Sequence, residues 1–173
     1  MFKVYTTIVL TLLLTACFPA KEPGSAQEFH LQGRTMGTTY NIKLAAKEGD
    51  YNLDVLQKEI DEALVQVNNE MSTYQNDSEI SLFNQSKGVQ PVVISEGFQT
   101  VLTEALRLGE ITDGMLDVTV GPLVNLWGFG PEYKPERIPS NEEQASARQR
   151  IGLNKLILNQ QQLSKTQADI YLD

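Results

Sequence analysis

An α+β fold, with helices packed on a mixed or antiparallel sheet, follows from three features of the chain. Residues 38–44, TTYNIKL, alternate Tyr40, Ile42 and Leu44 with polar residues, the period-two pattern of a half-buried strand. Residues 52–71 instead repeat Leu53, Leu56, Ile60, Leu64, Val67 and Met71 at three- and four-residue steps, one apolar stripe along a helix. Short apolar runs between turn residues, such as PVVIS at 91–95, supply further strands.

The chain of 173 residues suits one domain once a leader is set aside. Its apolar content is enough for a core, which argues against disorder. A formal net charge of -8 argues against nonspecific nucleic-acid binding, which needs a basic surface.

The leader begins with Lys3 and the apolar run 4–14, VYTTIVLTLLL. That is signal-peptide length and too short to span a bilayer as a mature helix. It ends in Leu14-Thr15-Ala16-Cys17, the pattern of a bacterial lipobox. Residues 1–16 are therefore expected to be a lipoprotein signal peptide. Cys17 would be lipidated and anchor the chain to a membrane, and residues 17–27 would form a tether. Cys17 is the one cysteine of the chain, so no intrachain disulfide can form, and acylation gives an exported thiol a purpose. An ordinary secretory signal with an incidental cysteine is the alternative.

Residues 27–31 predict a first strand, with Phe29 and Leu31 on one face. Gly33 and Gly37 on either side of Met36 suggest a bulge or a close backbone approach between paired strands. Asn52 or Asp54 can cap the helix over 52–71. Residues 78–85 predict a short helical turn presenting Ile80 and Phe83. Ser95 can cap a second helix reaching about Thr112, with Phe98, Val101, Leu102, Ala105 and Leu106 inward, and Gly114 is its natural left-handed terminator. Pro122 fits the first turn of a short helix running through Trp127. Ser140 and Glu143 form a capping box for a helix to about Arg150, closed by Gly152. Residues 155–159 and 168–172 read as strands, with a turn at 159–162. The last run, Ile170-Tyr171-Leu172-Asp173, has no polar tail, so the sheet is expected to be incomplete and the sequence to be part of a longer protein. A terminus paired inside a sheet is the alternative.

With one His and one Cys, zinc sites of the His/Cys type are excluded. His30 lies in a strand and reads as a structural or solvated residue rather than a base. Asp113 and Asp117 are four apart, a spacing that allows an acid/base pair. Gly114 between them favours a helix break instead, with Asp113 capping the next turn. Asp117 is flanked by apolar residues, where a carboxylate needs a partner: a ligand's ring N–H, a hydroxyl or a metal. Met36 and Tyr74 sit in loops and are soft or aromatic enough to pack on a flat ring. For them, and for Trp127, core packing is the simpler explanation from spacing alone.

The stretches GRTMGTTYNIKL, MSTYQNDSEISLFNQS and TDGMLDVTVGPLVNLWGFGP together resemble the ApbE family of FAD:protein FMN transferases, in order from about Gly33 to Asp173. The resemblance implies that residues 28–173 are the N-terminal part of a flavin transferase domain. It implies an enzyme that binds FAD, uses Mg2+, and moves FMN onto a Thr hydroxyl of a target protein with release of AMP. The implied targets are flavoprotein subunits of membrane redox complexes, on the periplasmic side of the inner rather than the outer membrane. The implied cofactor-binding residues are Met36, Tyr74, Met115, Leu116, Asp117 and Asp173. No catalytic residue is implied, and the family's principal magnesium ligands fall outside this sequence. A non-catalytic flavin-binding lipoprotein and an FAD pyrophosphatase are the alternatives, and the sequence as it stands is expected to be inactive alone.

Overall fold

A computed structural model of the chain describes residues 25–131 and 137–173. The expected signal peptide, Cys17 and most of the tether lie outside the described residues. The chain divides into two compact units, one ending at Glu59 and the other starting at Ile60.

The first unit is built on a hairpin. Strand β1 (Gln27–Thr35) pairs antiparallel with β2 (Thr38–Ala46), in a register that sets Thr35 opposite Thr38. This leaves Met36 and Gly37 as a two-residue turn, both with positive φ, 51° and 73°. That backbone matches the twist of the flanking strands. The expected bulge is absent: the ladder is unbroken from Gln27↔Ala46 to the turn. Gly33 faces Tyr40, and a Cβ on Gly33 would lie 2.5 Å from its ring, so the glycine makes room for the aromatic side chain. The Tyr40 hydroxyl accepts a hydrogen bond from Gln57 Nε2, which ties the hairpin to the start of helix α1 (Leu53–Met71). Asn52 caps α1 by accepting the amides of Asp54 and Val55 at 3.1 and 3.2 Å. None of the α1 stripe is fully buried, and Val67 is exposed.

The second unit holds the main core. Helices α2 (Glu79–Gln85) and α3 (Glu96–Ile111) each start at a serine cap, Ser78 and Ser95. Glu79 accepts both the amide and the hydroxyl of Ser95 at 2.6 Å, so the acidic residue opening one helix orients the cap of the other. Ile80, Phe83, Ile94, Phe98, Leu102, Leu156, Leu163, Ile170 and Leu172 form one buried cluster. Val101, expected inward, is exposed. Phe98, Leu102 and Leu106 already fill the inward stripe of α3, and Val101 lies to one side of it.

Strand β3 (Val92–Val93) is followed, beyond α3, by helices α4 (Gly121–Leu126) and α5 (Asn141–Arg148). Pro122 sits in the first turn of α4, and Ser140 with Glu143 makes the expected capping box on α5. A 3₁₀ turn (Leu153–Lys155) leads into β4 (Leu156–Asn159), which hairpins to β5 (Gln162–Lys165). The sheet order is β3-β5-β4, all antiparallel.

Two strand expectations need correction. The partner of β4 is Gln162–Lys165, and residues 168–172 are not a strand. The central strand escaped notice because it is polar: Ser164 and Lys165 are buried beside Leu163. Lys165 Nζ survives burial by donating to the carbonyls of Phe83 (3.2 Å) and Ile170 (3.5 Å), with the Phe83 ring centroid 5.0 Å away. Desolvation, aided by nearby Lys87 and opposed by Asp169, pushes its pKa below the usual lysine value. Ile170 and Leu172 are buried as apolar residues should be, but side chains and loops satisfy their backbone.

Phe98 is 1% exposed at the centre of the cluster. Phe98→Ala is expected to cost about 3–5 kcal/mol of stability, measured by denaturant unfolding of the folded protein; a loss under about 1 kcal/mol would contradict the core assignment.

Candidate functional site

The segment after α3 is set by its helix terminus. The Gly114 amide reaches back to the Gly109 carbonyl at 2.8 Å, with Asp113 and Gly114 both in the left-handed region. Thr112, rather than Asp113, organises the following turn: its hydroxyl donates to the Leu108 carbonyl (2.7 Å) and accepts the Leu116 amide (3.2 Å). The turn carries Met115 outward to 89% exposure, with Leu116 at 39%. Large apolar side chains held in solvent by a fixed backbone suit contact with a ligand.

Asp117 finds its partner two residues on. One carboxylate oxygen, Oδ1, accepts the amide of Thr119 at 2.8 Å and its hydroxyl at 2.5 Å. Thr119 is fully buried, and its Oγ1 in turn accepts the Gly152 amide at 2.7 Å. The hydroxyl partner expected for this carboxylate is therefore supplied within the protein. Through Thr119, Asp117 joins the α3–α4 connection to the α5–β4 connection.

Asp173 closes the arrangement. Its amide donates to the Val118 carbonyl at 2.9 Å, which places it beside the Asp117 turn. Gly121 lets it come close: a Cβ there would lie 2.3 Å from the Tyr171 ring and 3.3 Å from Asp173 Cβ. Asp173 keeps an exposed face, but partial desolvation pushes its carboxyl pKa up, and a hydrogen bond from the Thr73 side chain opposes this more weakly. Thr73 belongs to the loop after α1, which is pinned where Ser78 and Ser81 hydroxyls donate to the Ser72 carbonyl at 2.5 and 3.1 Å. The neighbouring Tyr74 is 73% exposed, and its hydroxyl donates to the Phe129 carbonyl at 3.4 Å.

A cavity of about 630 Å³ lies over these residues, walled by Met115, Leu116, Asp117, Arg148, Gly152 and Asp173 among others. That volume lies within the usual range for small-molecule sites, roughly 300–1,000 Å³. Four of the six expected cofactor-binding residues thus share one cavity wall. Tyr74 does not line this cavity, although its neighbour Thr73 bonds Asp173. Met36 belongs to the first unit, where it occupies the hairpin turn and is 52% exposed. Asp113 does not line this cavity, so the four-residue spacing makes no acid/base pair there. His30 is solvated as expected, 2.7 Å from Glu28, and Trp127 is 41% exposed rather than core.

Arg148, Thr119 and Thr73 were not singled out from sequence. Asp117-Val118-Thr119 is readable as a side-chain-to-backbone turn, and Thr73 adjoins Tyr74. Nothing in the local sequence points to Arg148, the cation on this cavity wall. Among the described residues no three His, Cys, Asp or Glu side chains gather to hold a metal ion.

Known proteins share this architecture. The ApbE family model matches residues 36–173, and the chain belongs to that family. It is 48% identical over 162 residues to the FAD:protein FMN transferase of Vibrio cholerae, covering 94% of this chain and 47% of that protein. It is 43% identical over 173 residues to the one from Haemophilus influenzae, covering 96% and 48%. The solved flavin transferase ApbE from Vibrio cholerae superposes with a TM-score of 0.82 at 49% identity, over 86% of this chain and 48% of that one. The apo flavinyl transferase ApbE of Pseudomonas stutzeri gives 0.81 at 32% identity, over 86% and 48%. The chain spans about half the length of these relatives.

A raised carboxyl pKa means the folded state holds the Asp173 proton more tightly than the unfolded chain. The associated stability is full below the ordinary Asp value and is lost as pH rises through the folded value. Asp173→Asn is therefore expected to raise the melting temperature at neutral pH and to remove that decline. A melting temperature unchanged or lowered across the series would contradict the raised pKa of this carboxyl.

Proposed function

We propose that this chain is part of an FAD:protein FMN transferase. The observation that carries the reading is the convergence of Met115, Leu116, Asp117 and Asp173 on one cavity, in a chain of the ApbE family. FAD is flat at one end and carries two phosphates. The exposed Met115 and Leu116 offer an apolar wall for a ring. Asp117 and Asp173 offer acceptors for ring or ribose donors, and Arg148 offers a cation for a phosphate. Tyr74 and, in the first unit, Met36 are cofactor-binding residues by the family resemblance, each exposed enough to meet a ligand.

The reaction joins the acceptor Thr oxygen to the phosphorus of the FMN half and breaks that phosphorus's bond to the oxygen bridging to AMP. The hydroxyl proton passes to solvent or to the departing phosphate. Such a transfer depends on positioning and charge neutralisation more than on covalent help. Magnesium, when bound, would supply that neutralisation. The described residues alone do not form a ligand set for it, so no residue here is assigned to the metal.

The proposal extends to the rest of the chain and its setting. Residues 1–16 act as a signal peptide, Cys17 carries lipid, residues 17–27 tether, and residues 28–173 form the N-terminal part of the transferase domain. The acceptors are flavoprotein subunits of membrane redox complexes, met on the periplasmic side of the inner membrane.

Incubating the full-length protein with FAD, Mg2+ and a Thr-bearing acceptor is expected to add the mass of FMN to the acceptor and release AMP. AMP without acceptor modification would point to a pyrophosphatase, and FAD binding without either product to a carrier. Asp117→Ala is expected to weaken FAD binding about tenfold, on the order of the roughly 1–3 kcal/mol for losing a buried polar partner. Unchanged affinity in a fluorescence titration would remove Asp117 from the site.

A further inference from the structure

Asp173 can serve a ligand only if its backbone is held in register, and no strand pairing does this. Residues 168–173 belong to neither sheet. Ile170 and Leu172 are each 1% exposed, so their side chains fix how deep the segment lies. Apolar burial is poor at fixing where such a segment stops along its own length. A directional bond is needed for that.

One side chain provides it. Asn84, near the end of α2, donates from Nδ2 to the Leu172 carbonyl at 2.9 Å and accepts the Leu172 amide on Oδ1 at 2.8 Å. The primary amide satisfies both backbone groups of one residue, as a neighbouring strand would. Leu172 is bonded directly to Asp173, whose amide goes to Val118, the residue after Asp117. A second brace crosses the same two segments. Lys165 Nζ joins the carbonyl of Phe83, next to Asn84, to that of Ile170.

We infer that Asn84 is a positioning residue for the flavin site: its two-point bond to Leu172 sets the register that presents Asp173 to the cavity. Asn84 does not line the cavity that holds Asp117 and Asp173, so its effect on a ligand there runs through the backbone. Only an amide of this length supplies both a donor and an acceptor. An Asp at the position keeps the size and the acceptor, but sets an oxygen against the Leu172 carbonyl. The inference rests on the functional reading above, because it takes FAD as the ligand.

A double-mutant cycle in the full-length protein tests it, with FAD as the titrant. Asn84→Asp is expected to weaken FAD binding about tenfold with Asp173 present, and less than about twofold when Asp173→Asn is already in place, because residues acting as one unit are not additive. Thermal melts of all four proteins supply the control for folding. A structural role alone would lower the melting temperature and cut the affinity by the same factor in both backgrounds, which overturns the inference. If Asp173→Asn weakens binding and Asn84→Asp does not, the positioning role falls while the site reading stands. If Asp173→Asn alone leaves FAD affinity unchanged, Asp173 leaves the site and the inference falls with that part of the reading.

Discussion

The Thr119 hydroxyl, sealed from water, is the contact on which the site depends. It donates to Asp117 and accepts from the Gly152 amide, so one buried oxygen joins the segment after α3 to the segment after α5. A buried hydroxyl without partners costs about 1–3 kcal/mol, and a buried carboxylate without partners costs more. Thr119 is fully buried and Asp117 half-buried, and the pairing satisfies the Thr119 hydroxyl and one Asp117 oxygen together. The pairing leaves little freedom for the turn that holds Met115 and Leu116 in solvent.

The core serves this site from below. Phe98 and Leu102 of α3, Phe83 of α2 and Leu163 of β5 pack with Ile170 and Leu172. The same cluster that stabilises the second unit therefore seats the residues leading to Asp173. Polar bonds then finish what apolar packing leaves open. Asn84 and Lys165 fix the final segment along its length, and Thr73 and Val118 fix Asp173 itself. Partial desolvation raises the Asp173 carboxyl pKa although the residue keeps an exposed face, so it can still meet a donor on a ligand.

Sequence reading succeeded where one local rule decides the structure. The serine caps at Ser95 and Ser140, the proline in the first turn of α4, the glycine ending α3 and the strand over Tyr40, Ile42 and Leu44 all appear in the fold, though Ile42 is exposed. It failed where distant parts of the chain decide. No strand is expected beyond the turn at 159–162 until residue 168, yet Gln162–Lys165 is the central strand of its sheet, and carbonyls from two other segments receive its buried Lys165 ammonium. Residues 168–172 look like a strand, yet a single asparagine 88 positions away from Leu172 takes the place of a partner strand. At the site, the loop around Asp117 was legible from its carboxylate among apolar neighbours. The identity of its partner was not, because Thr119 becomes buried only once Gly152 is folded against it. Arg148 reaches the cavity through the packing of α5 and left no local mark.

The central claim is that the cavity bounded by Met115, Leu116, Asp117 and Asp173 receives the flavin dinucleotide. A crystal structure of the full-length protein grown with FAD tests it most directly. The account predicts FAD density in that cavity, in contact with both the Met115–Asp117 turn and Asp173. A second cavity of about 430 Å³, lined by Asn84, Lys87, Asn125, Arg150 and Tyr171, offers a rival place within the same unit. Ordered FAD there, with the Asp117 cavity filled only by solvent, would contradict the account.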